Sequence, residues 1–263
     1  MEVSYFSSRM NSLIIPAYNE APVIAATLRD LRSAFTEQFG DDGWEIIVVD
    51  NASTDGTAAA SHALRDSRIR VIELPMKGKG HATRAGFALA RGEYVGFTDA
   101  DLSVPPNEVA QAFIDIKQSG ANILIGSRFH KDSSMPEREW WRIFTSQLFN
   151  RYARIMLGVP FFDTQCPLKI VDKDGRAMLL ITNELTWFFD LEFLALAHRA
   201  SLFVAETPVT WNEHRYPERR SKLSTTRDGV RYLFAMPRIK KRLPAQLALW
   251  SAANNNRVGY MTR

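Results

Sequence analysis

From Asn11 to Phe129 the chain repeats one unit, a short β-rich run followed by a helical pattern. That alternation limits the fold more than any other feature. NSLIIPAY, WEIIVVD, RIRVIEL, EYVGFTDAD and ANILIGSRF read as strands. APVIAATLRDLRSAFTEQF, TDGTAAASHALRD, GHATRAGFALARG and PPNEVAQAFIDIKQSG read as the helices between them. Strands joined through helices of this length pair in parallel, and a parallel sheet needs cover on both faces. The expected class is α/β, with a central mostly parallel sheet flanked by helices. In such sheets ligands bind beyond the carboxyl ends of the strands, where PAYNE, VVDNASTDGT, FTDADLS and GSRF all fall.

After Phe129 the rhythm changes. WWRIFTSQLFNRYARIMLG suggests a long helix whose aromatics read as packing, and FFDTQCPLKIVDKDG reads as loop. ITNELTWFFDLEFLALAHRA is mostly helical and SLFVAETPVTW a strand, and TTRDGVRYLFAMPRIKKRL makes a basic helix interrupted at Pro237. No repeat or low-complexity linker divides the chain. One domain over residues 1–243 and a tail over 244–263 are expected.

A chain of 263 residues, 46% hydrophobic and 24% charged, suits one soluble globular core. The single Cys166 excludes an internal disulfide, fits a reducing compartment, and reads as a small buried side chain rather than a nucleophile. No apolar run is long enough to span a membrane, and MEVSYFSSRMNS lacks the pattern of a secretion leader. The expected location is cytoplasmic, at most peripheral at a membrane surface. Between Arg215 and Arg242 ten Lys or Arg stand against Glu218 and Asp228. Such a stretch suits a phosphate, an anionic membrane or a solvated helix face. No nucleic-acid motif accompanies it, and no nucleic-acid partner is expected.

FTDADLS closes the apolar run YVGF with Asp99 and Asp101 one residue apart. Positions i and i+2 of a strand share a face, so two mutually repelling carboxylates would emerge together. A divalent cation is the simplest partner; a strand running into an Asp-rich turn is the plainer alternative. Asp50 ends WEIIVVD, where it suits acceptance of a nucleobase imide N–H or the capping of the turn in STDGT. KGKG places Lys77 and Lys79 with two glycines before a helix, an arrangement that favours anions. Thr83 breaks G-x-G-x-x-G and no P-loop is present, which argues against dehydrogenase and NTPase chemistry. Arg128 offers a bidentate fork to a phosphate, with a salt bridge as the competing use. His81, His130, His198 and His214 have no metal-ligand spacing.

PAYNE, VVDNASTDGT, KGKGHATRAG, FTDADLS, GSR, DTQCPLKI, WFFDLEFL and RRSKL follow one another in an order that resembles the inverting family 2 glycosyltransferases. These have the GT-A, Rossmann-like fold. Within them the chain most resembles the dolichyl-phosphate glucose and mannose synthase group, over residues 12 to about 225, and Asp163-Thr164-Gln165-Cys166 leans toward the glucosyl branch. The resemblance implies a nucleotide-binding half over about 12–130 and an acceptor half over about 131–243. It implies metal-dependent, inverting transfer of a hexose, glucose from UDP-glucose foremost, onto a polyprenyl or dolichyl phosphate. Pro16, Ala17, Tyr18, Glu20 and Asp50 would hold base and ribose, with Lys79 and Gly80 alongside. Asp99, Ala100 and Asp101 would carry Mg²⁺ or Mn²⁺ against the diphosphate, with Asp101 as direct ligand and Asp99 on the ribose or a metal-bound water. Ser103 stands where some relatives have Gln. Arg220 and Lys222 would close over the donor, and Arg128, Gln165 and Ser221 would meet the acceptor. A phosphate acceptor is already anionic near neutral pH, whereas a hydroxyl acceptor needs a base, for which Asp190 is the candidate. Two other readings stay open: a soluble enzyme glycosylating a small molecule or nucleoside, and a nucleotide-sugar-binding module without turnover. The basic region with Tyr232, Leu233, Phe234 and Met236 suits peripheral contact with a membrane.

Overall fold

The computed structural model describes residues 10–136, 140–212, 216 and 225–258. Its order is β1 (Asn11–Ala17), α1 (Ala21–Phe39), β2 (Trp44–Asn51), α2 (Thr57–His62), β3 (Ile69–Leu74), α3 (Lys79–Leu89), β4 (Tyr94–Phe97), α4 (Pro106–Ser119) and β5 (Ile123–Ser127). There follow α5 (Trp140–Leu157), β6 (Lys169–Val171), α6 (Lys173–Leu180), α7 (Phe189–Arg199), β7 (Val204–Pro208) and α8 (Thr225–Val258). All seven strands join one sheet in the order β3-β2-β1-β4-β6-β5-β7.

Both faces of that sheet are apolar because the central strands carry consecutive apolar residues, Leu13 to Ile15 in β1 and Ile46 to Val49 in β2. Leu13 and Ile15 of β1 and Ile46 and Val48 of β2 point into one core with Leu28, Phe35 and Phe113 of α1 and α4. Their neighbours Ile14, Ile47 and Val49 point the other way, onto Phe87, Phe189 and Leu194 of α3 and α7. The chain leaves β1 toward β2 and β3, then returns to lay β4 on the other edge of β1. The connections therefore diverge beyond Ala17 and Phe97, where an open α/β sheet makes its ligand crevice.

The parallel pairs β1–β2, β2–β3 and β1–β4 match the expected class. Two expectations for the second half are corrected. The segment read as loop contains β6, which runs antiparallel between β4 and β5, and the first three residues of α6. The side chain of Asp172 caps α6 by accepting the N–H groups of Asp174 and Gly175. The last helix is not interrupted at Pro237 and continues through residue 244. Proline removes the N–H that would bond the carbonyl four residues earlier. Here that carbonyl, of Leu233, accepts the Tyr152 hydroxyl of α5 at 3.4 Å.

Candidate functional site

The carboxyl ends of β1, β2 and β4 bring PAYNE, VVDNASTDGT and FTDADLS together. Asn19, in left-handed backbone, accepts the Thr54 N–H at 2.8 Å while its own N–H donates to Ser53 Oγ at 2.9 Å. Asp50 is buried and its Oδ1 accepts the Ser53 N–H at 2.9 Å. It is thus a turn-capping acid, whatever else it holds. Pro16 is half-buried and Ala17 is buried at the end of β1. Tyr18 lies beneath the Lys77 ammonium, 3.5 Å from its ring centroid. Glu20 is buried, and its N–H donates to Thr57 Oγ1 at 2.8 Å.

The two aspartates after β4 meet different surroundings. Lys79 Nζ stands 2.5 Å from Asp99 Oδ1. Burial presses the Lys79 ammonium toward neutrality, but the charges of Asp99, Asp190 and Asp101 outweigh it and raise its pKa. Asp101 Oδ1 faces the Ser103 hydroxyl at 3.2 Å. Between them Ala100 is buried, its carbonyl accepting the Thr27 hydroxyl at 2.6 Å. Leu102 completes the turn at φ 47, a conformation a branched residue keeps only where the surroundings enforce it.

Behind them is a buried ion pair that sequence reasoning missed. Lys169 of β6 is fully buried; its Nζ donates to the Cys166 carbonyl at 2.6 Å and lies 2.9 Å from Asp190 Oδ1. Burial raises the Asp190 pKa, against the opposing charges of Lys169 and Lys79. The one signal for Lys169 was a cation inside the apolar run PLKIV, which only a buried carboxylate could accommodate. The expected base Asp190 is therefore enclosed between lysines.

Two further groups of expected site residues have partners within the chain. The first N–H groups of α3 are not left for an anion: Gly80 donates to the Thr186 carbonyl at 3.1 Å and His81 to that of Leu185 at 3.3 Å. The KGKG glycines serve that seat. A Cβ on Gly78 would lie 2.6 Å from the Leu185 carbonyl, and one on Gly80 would strike that of Glu184. Glu184 is held in turn by Arg238 and Arg242 of α8 at 2.8 and 3.0 Å. The second is Arg128, whose fork closes on Asp163, with Nε at 2.6 Å and Nη2 at 2.8 Å, the salt bridge given as its competing use. Burial alone would raise the Asp163 pKa; the Arg128 charge and hydrogen bonds, with Lys169, hold it below the usual carboxylate range. Asp163 Oδ1 also accepts the Gln165 N–H at 3.2 Å, so the pair fixes the loop carrying the expected acceptor residue. Cys166 in that loop is fully buried, and burial followed by the Asp163 charge pushes its thiol up to about 12. Arg220, Ser221 and Lys222 lie outside the described residues.

No cluster of three or more His, Cys, Asp or Glu suited to a metal occurs among the described residues. The chemistry of the pair still fits Mg²⁺ or Mn²⁺, which bind through one or two carboxylates plus substrate phosphates rather than in all-protein cages. Asp99, Asp101 and Asp190 against Lys79 and Lys169 are three negative charges to two positive. A cation there reverses the sign that a diphosphate would meet.

A sheet with this switch point and an acidic pair at the end of β4 defines a GT-A glycosyltransferase fold. The family model "Glycosyl transferase family 2" matches residues 12–174, and the chain belongs to that family. The dolichyl-phosphate beta-glucosyltransferase of Saccharomyces cerevisiae is 32% identical over 225 residues, covering 77% of this chain and 66% of that protein. The Dictyostelium discoideum protein of the same name is 30% identical over 77% of this chain and 66% of its own length. The chain thus spans just under two thirds of these relatives. Glycosyltransferase AglD of Haloferax volcanii is 29% identical over 82% of this chain and 35% of its own length. Among solved structures, glucosyl-3-phosphoglycerate synthase of Mycobacterium tuberculosis with Mn²⁺ and UDP-glucose has a TM-score of 0.61. It is 18% identical and covers 87% of this chain and 79% of that one, a likeness of fold.

Proposed function

We propose that the chain transfers glucose from UDP-glucose to the phosphate of a polyprenyl phosphate such as dolichyl phosphate, with inversion. The observation that carries this reading is the acidic pair beyond β4, Asp99 held by Lys79 and Asp101 beside Ser103, in a family 2 chain most of whose length aligns with dolichyl-phosphate glucosyltransferases.

Asp101 and Asp99 would hold Mg²⁺ or Mn²⁺, which neutralises the charge developing on the departing diphosphate. Asp50, at the end of β2, would accept from the uracil, with Pro16, Ala17, Tyr18 and Glu20 forming the neighbouring strand end. Lys79 orients Asp99 through their ion pair. Asp190 serves as the buried counter-charge of Lys169 and Lys79 rather than as a base, because an acceptor phosphate oxygen arrives already deprotonated. Arg128 acts through Asp163 by stiffening the loop that presents Gln165. Arg220, Ser221 and Lys222 supply further phosphate contacts in this reading. A bilayer-borne acceptor also gives a purpose to the basic α8, as a peripheral membrane contact.

The test is sugar transfer from labelled UDP-glucose, GDP-mannose and dTDP-sugars to polyprenyl phosphate or to soluble alcohols, with and without Mn²⁺. Metal-dependent transfer from UDP-glucose to the lipid phosphate is expected. Transfer only to a soluble alcohol would reject the lipid acceptor. Donor binding without transfer or hydrolysis would reject enzymatic turnover.

A further inference from the structure

Phe149 and Tyr152 of α5 pack against the core as expected, but Trp140 and Phe144 face outward. Trp140 is 79% exposed, Phe144 62%, Leu148 55% and Ile155 70%. At 100° per residue these four fall within an arc of about 80°. The opposite face of α5 is already anchored: Ala153 and Leu157 are in the core, and Asn150 Oδ1 accepts the Thr164 hydroxyl at 2.7 Å. The stripe is therefore a surplus apolar face rather than a core face left open.

Helix α8 extends it. Tyr232 and Met236 are buried, contrary to expectation, but Phe234 is 75% exposed. The two helices are joined by the Phe149–Tyr232 ring contact at 4.9 Å and by the Tyr232 hydroxyl donating to the Phe149 carbonyl at 2.9 Å. Exposed cations accompany the apolar residues: Arg151 within the α5 arc, and Lys240 and Lys241 on α8. Apolar and aromatic side chains with interspersed cations suit an interface of acyl chains and anionic headgroups. A second copy of the chain would oppose like charges across a two-fold contact. The face also reaches the site, since Phe188 packs on Tyr232 at 5.6 Å and the adjacent Trp187 ring lies 4.7 Å from Lys79 Nζ.

We infer that the outward face of α5, continued by Phe234 of α8, is a docking surface for an anionic lipid bilayer. It places the crevice beside the headgroups. The inference goes beyond the acceptor reading and does not depend on it, because docking needs lipid but no polyprenyl phosphate.

The test is flotation of the full chain with vesicles of phosphatidylcholine, alone or with phosphatidylserine, lacking polyprenyl phosphate. Wild-type protein should float with the anionic vesicles. The triple variant W140S/F144S/L148S should partition at least about tenfold less at an unchanged thermal midpoint. K240E/K241E should weaken anionic-vesicle binding and its salt dependence. Failure of wild-type protein to float, or equal flotation of the triple variant, would overturn the docking face. So would a wild-type dimer that the triple variant dissolves without any flotation. Flotation without transfer to polyprenyl phosphate would count against the acceptor reading alone.

Discussion

Lys79 Nζ lies 2.5 Å from Asp99 Oδ1, so the first aspartate of the acidic pair finds its positive partner within the chain. The Lys79 and Asp99 side chains are only 10% and 23% exposed, so removing one leaves the other poorly compensated. K79A should lower stability by about 3 kcal/mol and reduce donor turnover at least about tenfold. The double variant K79A/D99N should recover part of the lost stability. A K79A protein that melts and turns over like wild type would refute the pairing.

Asp101, the second aspartate, faces the Ser103 hydroxyl at 3.2 Å. D101N should reduce metal-dependent turnover by about 10² to 10³, the scale of losing a principal charge-stabilising contact. S103A should cost only a few-fold, roughly 1 kcal/mol. Chelation should silence wild-type enzyme, and Mn²⁺ or Mg²⁺ should restore it. Undiminished turnover of D101N after chelation would remove the metal from the reaction.

Acid should weaken the fold through two buried carboxylates. Asp163 is held below its usual 3.8 by Arg128 despite burial. Glu184 is held below its usual 4.5 by Thr186, Arg238 and Arg242, likewise against burial. With folded values below unfolded ones, their stabilisation is complete above the usual carboxylate range and disappears as pH falls through the folded values. The gap in melting temperature between wild type and D163N should therefore be wide at neutral pH and narrow in acid. A gap independent of pH would contradict this linkage.

Much of the first half of the chain was legible because β1 and β2 contain consecutive apolar residues, and a parallel sheet covered on both faces is their natural home. The polar motifs then fell at strand ends by topology. Lys169, Asp190 and Asp163 were not legible in the same way. β6 has three residues and carries a lysine, so no period identifies it, and Arg128 closes on Asp163 across 35 positions of sequence. The aromatic stripe of α5 was misread for a related reason. Periodicity reveals that a helix has two faces, but not which of them meets the core.

The Leu233 carbonyl freed by Pro237 accepts the Tyr152 hydroxyl. P237A should restore the helical N–H and stabilise the chain by about 1–3 kcal/mol, since an interior proline costs roughly that. Y152F should destabilise by about 1 kcal/mol in wild type and less in P237A, a coupling that a double-mutant cycle measures. Equal effects of Y152F in both backgrounds would rule it out.

The sole thiol of the chain, Cys166, is sealed in the interior with its pKa pushed up to about 12. A sulfur that stays protonated and shielded resists alkylating dyes and spin labels. The native sequence is thus already a silent background for labelling. One cysteine introduced on the outer side of α5 or near Trp187 would carry a reporter at a single known position, with no prior engineering of the enzyme.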